Sequence, residues 1–221
     1  MIKITNYYLD QHIRIDNFDQ LILWIAILTS IGTITTGAYL ASFSKGFLYS
    51  IKTCENKYTF KKFSLAGLQL PFKKTYLKDI LLGIDSKTST VINKALKADS
   101  YFMPFAYGGL LMIFFYFWLR FMDRPYSFIY ILLIKCWYFP LAAYAMDILE
   151  NNFTVSLLEK LDILKQERIT NPEDWRLNED DKNKLISTFQ IKIIIVSGLK
   201  WLTAILSILI ILAALYVLLF P

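Results

Sequence analysis

The sequence predicts an all-α integral membrane protein, a four-helix bundle with amphipathic interfacial helices and a cytoplasmic helical hairpin extension. Three observations carry that expectation. The 221 residues are 56% hydrophobic, 16% aromatic and only 19% charged, and the mean hydropathy is +0.43, too apolar for an ordinary water-soluble domain. Four stretches approach the roughly 20 apolar residues that a span needs, at about 21–43, 101–119, 128–149 and 193–220. Between them lie a basic connection, 44–100, and a helical segment, 150–192, in a single membrane domain covering 1–221.

The first stretch follows a polar N-terminus, MIKITNYYLDQHIRIDNFDQ, that lacks the pattern of a cleavable signal peptide, and neither end carries a lipidation motif. Thr29, Thr33 and Gly37 recur at every fourth position among Ser30, Gly32, Thr35 and Thr36. Such a small-residue stripe lets another helix approach closely, within the chain or as the seam of a homo-oligomer or pore.

The 44–100 connection carries eleven lysines, from Lys45 to Lys97, against few acids. Within it Tyr76, Leu77, Ile80, Leu81 and Ile84 repeat with helical period, and Val91, Ile92, Ala95 and Leu96 mark a second amphipathic piece over 89–98. Both suit either the membrane interface plane or packing on the ends of the spans. Lysine and arginine also collect in 150–192, and only Lys3, Arg14, Arg120 and Arg124 stand on the opposite side. The positive-inside tendency therefore places both long connections in the cytoplasm and both termini outside, in a cell membrane whose anionic headgroups attract the basic surface. Nucleic acid is not an expected partner, because no separate soluble domain interleaves basic and aromatic residues.

The second span opens at KALKADSYFMPF, with Asp99 or Ser100 as the expected cap and Pro104 in the first turn. Its aromatic rod ends at Trp118 and Arg120, and a tight link through Asp123, Arg124 and Pro125 leads into the third span. There Lys135 stands among isoleucines and leucines, either snorkelling to the interface or pairing with a buried acceptor. Pro140 predicts a kink and a freed carbonyl near Cys136.

The third span closes on Asp147, Glu150 and Asn151, whose spacing places all three on one helical face. The antiparallel hairpin of spans two and three brings Asp99 to the same depth, and Tyr144 lies one turn before Asp147. Acids near a membrane interior are costly to desolvate, and carboxylates held together there cannot all ionise freely. The candidate ligand-binding residues are thus Asp99, Asp147, Glu150, Asn151, Tyr144 and Lys135. A cation or an amphiphilic ligand is the chemistry they suit; capping, or a salt bridge to a lysine of the basic connection, is the structural alternative.

Beyond Asn152, Val155, Leu157, Leu158, Leu161, Ile163 and Leu164 continue an amphipathic stripe, and a turn falls at Asn171 and Pro172. The acidic start at 179–181 opens a helix of about 60 Å that runs into span four. The resulting hairpin at 150–190 offers a surface for a cytoplasmic protein partner.

The segments LAGLQLPF, KALKADSYFMPFAYG and LAAYAMDILENN together resemble a widespread family of uncharacterised bacterial multi-span membrane proteins with an Asp-x-x-Glu-Asn motif closing the third span. The resemblance covers about residues 65–152 and implies a shared fold and polar cluster, with no reaction attached. The chain shows no phosphate-cradling glycine loop, no redox cysteine pair and no activated histidine, His12 being the only one. Cys54 and Cys136 have no neighbours at metal-ligand spacing. No cofactor and no metal is expected, and the reading leans against an enzyme. A non-enzymatic membrane subunit or binder stands first, ahead of an oligomeric channel or effector-type pore and of a lipid-modifying membrane enzyme.

Overall fold

The computed structural model describes residues 2–52, 58–69, 77, 80–81, 83–170 and 179–220. Leu70, Pro71, Phe72, Tyr76, Cys54 and the turn at Asn171 and Pro172 lie outside them. The elements in chain order are α1 (Ile2–Ser42), a short 3₁₀ turn (Phe43–Gly46), β1 (Leu48–Lys52), β2 (Tyr58–Lys62), α2 (Leu65–Gln69), α3 (Ser86–Arg120), α4 (Phe128–Cys136), α5 (Phe139–Thr170) and α6 (Glu179–Leu219). Four stretches are long and apolar enough to cross a membrane: Gln20–Ser42, Lys87–Arg120, Phe128–Ile163 and Ile186–Leu219. Only 11–22% of each apolar window is buried within the chain, so most of their carbon surface needs apolar surroundings from elsewhere.

Two expectations are corrected here, and one helix is longer than the span it contains. α1 begins at Ile2, while its membrane-length part, Gln20–Ser42, stands where the sequence puts it. α3 is one helix from Ser86 to Arg120, so Asp99 and Ser100 are interior residues and no cap, and Pro104 lies mid-helix. No glycine or proline separates 89–98 from the span, and the helical period therefore runs through. The actual start is set by Asp85, whose Oδ1 accepts from the Thr88 amide at 2.7 Å. The other correction is a β-hairpin in a protein expected to be all-α. β1 and β2 pair antiparallel with Leu48 opposite Lys62 and Lys52 opposite Tyr58, and the Phe63 amide donates to the Phe47 carbonyl at 3.1 Å. Phe47 and Tyr49 alternate on the buried side of the hairpin with Phe63 beside them, whereas Phe60 of β2 is exposed.

The third span is interrupted where Pro140 predicts. α4 ends at Cys136 and α5 starts at Phe139, because Pro140 has no amide for the carbonyl four residues back and is tolerated in a first turn. α4 itself starts at the Ser127 cap, whose hydroxyl accepts from the Tyr130 amide at 3.2 Å.

The chain forms two compact units, Met1–Thr35 with Phe102–Tyr144 and Trp201–Pro221, and Thr36–Tyr101 with Ala145–Lys200. The core of the first is aromatic: Phe114, Phe117, Phe121, Ile129, Leu133, Ile210 and Ala214. Here α1 meets α3 closely, since a Cβ added at Gly109 would lie 3.1 Å from Thr29 Oγ1. The Thr29 hydroxyl donates to the carbonyls of Ile25 and Ala26, and that of Thr33 to Thr29. Thr29 therefore serves packing inside the chain.

In the second unit one core joins the basic connection to the helical extensions. Phe47, Tyr49, Leu68, Leu77, Ile80, Leu81 and Ile92 pack with Leu157, Leu158 and Leu161 of α5 and Ile186, Phe189 and Ile193 of α6. Of the two placements open to these apolar faces, the interface plane or packing on protein, the described residues take the second, Leu77, Ile80 and Ile92 being completely buried. Burial against neighbouring side chains removes the same carbon from water that the acyl boundary would. Gly83 is required at its place, because a Cβ there would collide with the backbone carbonyl of Ser50. α5 and α6 run antiparallel, with the Lys160 ammonium 5.2 Å from the Phe189 ring and Lys192 5.8 Å from that of Phe153. Ser89 of α3 donates to Asp162 of α5 at 3.1 Å.

Two measurements check this account. Hydrogen bonds from the Thr88 hydroxyl and amide hold the Asp85 carboxyl below its usual range. A lowered carboxyl contributes stability above its unfolded value and loses it as pH falls through the folded one. Asp85→Ala should therefore cost about 1 kcal/mol near neutrality, a difference that begins to shrink only below about pH 4 and goes as the pH falls through the lowered folded value; unfolding curves of the two proteins across that acid range test it. In the first unit, Gly109→Leu should separate α1 from α3 and lower the melting temperature. Gly108→Leu should not, because nothing lies within 4 Å of a Cβ at Gly108.

Candidate functional site

The second unit buries charge. Among the described residues the buried charged side chains are Asp99, Asp147, Glu150 and Lys200, each at most 6% exposed, and they form one network. Lys200 of α6 stands between two acids of α5, its Nζ 3.1 Å from Asp147 Oδ1 and 2.6 Å from Glu150 Oε2. The first contact is also a hydrogen bond. The second is an ion pair outside hydrogen-bonding alignment. One helical turn separates the two acids on α5, so a single ammonium reaches both.

The network continues through amides. Asn151 Nδ2 donates to Asp99 Oδ2 at 2.7 Å, and Gln69 Nε2 donates to Asn151 Oδ1 at 3.3 Å. Ser197 Oγ donates to the Gln69 carbonyl at 2.7 Å. Asp99 also lies within electrostatic range of Asp147 and Lys200. Thus α2, α3, α5 and α6 each contribute, and the direction of donation, from Gln69 through Asn151, ends on the carboxylate of Asp99. The Ser197 hydroxyl, also near Glu150, has its one proton on the Gln69 carbonyl. Glu150 Oε1 is left buried without a hydrogen-bond donor among the described residues.

Two properties of this arrangement matter chemically. Three carboxylates face one ammonium, in a setting where an uncompensated charge is expensive. In addition, two of the acids converge on a cationic side chain, Lys200, and the described residues hold no group of three or more His, Cys, Asp and Glu arranged for a metal ion.

Of the residues singled out in the sequence, Asp99, Asp147, Glu150 and Asn151 are brought together. Tyr144 and Lys135 belong to the other unit. The Tyr144 ring packs on Tyr107 with centroids 6.0 Å apart, and Lys135 is exposed. Asp147 does bind a lysine, but one from the fourth span in place of one from the basic connection. Sequence reasoning passed over Lys200, Gln69 and Ser197. Lys200 carried a signal, because a lone lysine inside SGLKWLTAILSILIILAAL is anomalous in an apolar run. Gln69 is likewise the one side-chain amide in LAGLQLPF.

Fold and site together describe a helical protein of the multi-pass membrane type with a buried carboxylate–lysine network. No family model, no curated protein and no solved structure matches the chain.

The ion pairs make a direct prediction. Lys200→Met leaves three buried carboxylates without a cation and should lower stability by roughly 3–5 kcal/mol. Adding Asp147→Asn and Glu150→Gln to that variant should restore most of the loss, as measured by thermal unfolding of the detergent-purified proteins. A Lys200→Met protein as stable as the parent would show that the pairs contribute nothing.

Proposed function

We propose that this chain is a non-enzymatic multi-pass membrane protein whose buried network binds a small monovalent cation, H⁺ or an alkali ion. One observation carries the reading: three buried carboxylates share a single ammonium, and Glu150 presents an oxygen that no donor among the described residues satisfies. A buried carboxylate without a counter-charge takes up a cation or a proton, since either one removes the desolvation penalty. Asp99 and Glu150 are the binding groups in this reading. Asp147 and Lys200 hold the pair that positions them, and Asn151 orients Asp99. The resemblance to the multi-span family supports only the polar cluster itself, with Asp147, Glu150 and Asn151 standing where its Asp-x-x-Glu-Asn motif would, and attaches no reaction to it. In this proposal the two long connections face the cytoplasm, both termini lie outside, and the lysines of 44–100 meet anionic headgroups.

A second reading is supported by the close approach of Lys200 to two of the three acids. There the network is a structural lock in a membrane scaffold or channel subunit, with contacts made by the 150–190 hairpin or by a second copy at Thr33 and Gly37.

A titration separates the two. The unfolding temperature of the wild-type chain is measured against pH between 5 and 8 and against Na⁺ and K⁺. Cation binding predicts a stability that rises with proton or ion concentration, since a ligand at 100 times its dissociation constant adds about 2.7 kcal/mol. The response should vanish in Asp99→Asn with Glu150→Gln. Equal responses in the two proteins would sink the cation reading and leave the lock.

A further inference from the structure

The Glu150 carboxyl is the member of the network that its neighbours leave least satisfied. Its side chain is 0% exposed, and among the described residues neither oxygen takes part in a hydrogen bond. The other two acids are supplied: Asp147 Oδ1 accepts from Lys200, and Asp99 Oδ2 accepts from Asn151. The hydroxyl beside Glu150 is that of Ser197, which has one proton and gives it to the Gln69 carbonyl at 2.7 Å. Toward Glu150 the Ser197 oxygen therefore presents only lone pairs. Two acceptors face one another where water does not reach, which is unfavourable for as long as Glu150 is ionised.

We propose that the cation taken up by the network is a proton, carried on Glu150 and donated to Ser197 Oγ. The inference rests on the reading of the network as a cation site, and it names the ion and its place. A protonated carboxyl has one O–H to give. Ser197 accepts it while still donating to Gln69, so a single proton completes a chain from Glu150 through Ser197 to a backbone carbonyl. The charges agree with this geometry. Facing Glu150 are Lys200 on α6 and Asp147 on its own helix; α3 adds Asp99 to the network, and α2 brings no charge. With Glu150 neutral, Lys200 and Asp147 remain as one ion pair at 3.1 Å, and Asp99 keeps its amide donor. An alkali ion has no comparable place. It gives up its water only where several oxygens replace it, and at Glu150 it would stand beside the Lys200 ammonium, which lies 2.6 Å from Oε2.

Infrared spectra of the detergent-purified full chain, recorded from about pH 8 down to about pH 5, read the proton directly, because a protonated carboxyl has a C=O stretch that a carboxylate lacks. Water-exposed carboxyls stay largely ionised over that range. One such band should grow in, shift when the chain carries glutamate isotope-labelled at the side-chain carboxyl, stay unshifted with labelled aspartate, and be missing from Glu150→Gln. Ser197→Ala removes the acceptor and should weaken proton binding roughly fivefold, the equivalent of one hydrogen bond of about 1 kcal/mol, so that the band appears at lower pH. A Ser197 that donates to an ionised Glu150 would give the opposite shift, and one with a purely structural role would give none; either result overturns the proposal. So does a band that follows the aspartate label. Na⁺ and K⁺ should leave the band in place. Their displacing it, or a stability that responds to these ions in the absence of any band, would remove the proton and keep the cation reading. No band and no response of stability to pH or to ions would remove both.

Discussion

Lys200 is the constraint on which the second unit depends. A lysine inside an apolar helix has to find a counter-charge, and the only buried acids described are those of α3 and α5. Its two contacts fasten α6 to α5 at Asp147 and Glu150. From there Asn151 carries the fastening to α3 at Asp99 and to α2 at Gln69, and Ser197 returns it to α6. The loop of contacts closes on itself. Removing one member leaves its partners desolvated and unpaired, which makes such networks cooperative.

The apolar core beside the network explains how that buried polarity is tolerated. Leu157, Leu158 and Leu161 of α5 meet Ile186, Phe189 and Ile193 of α6 together with the basic connection. Burial at about 25 cal/mol per Å² of apolar surface drives this association. The polar residues decide which arrangement it takes. The lysines of the connection remain outside that core, Lys61, Lys62, Lys87, Lys94 and Lys97 all being exposed. Charge and apolar surface are thus separated on the same segments, and the amphipathic period that reads as membrane-interfacial is satisfied by protein.

The sequence is legible where a signal lies within one element. The four apolar stretches, the break at Pro140 and the shared face of Asp147, Glu150 and Asn151 follow from composition, proline chemistry and helical period. Asp99 follows from one further step, the antiparallel hairpin of spans two and three. Ser197 stands 128 residues from Gln69, Gln69 82 from Asn151 and Lys200 53 from Asp147, and the register between distant helices is not written in either one alone. The hairpin of β1 and β2 was obscured for a different reason. Its strands are five residues each, short enough that their period of two is easily missed among lysines. The continuous α3 shows the opposite case: a polar dipeptide, Asp99 and Ser100, looks like a helix start, but the partner of Asp99 is a side chain on another helix.

Stability alone does not account for a network of this kind, because well-packed apolar residues of the same volume are often at least as stabilising as a buried ion pair. What the network adds is register. α5 and α6 present long apolar stripes that would interdigitate almost as well after a slip of one turn, and Phe153, Phe189, Lys160 and Lys192 form ring contacts that tolerate displacement. A slip of one turn moves Lys200 about 5.4 Å along the axis, beyond reach of at least one of its two carboxylates. It also carries Ser197 away from the Gln69 carbonyl, to which it is bonded at 2.7 Å. Every such slip leaves desolvated charge or an orphaned amide, whereas the observed register leaves one oxygen of Glu150. The same geometry that selects a single pairing of the helices therefore leaves its residual negative charge at Asp99 and Glu150, and the proposed uptake of a cation would draw on the same atoms that set the register.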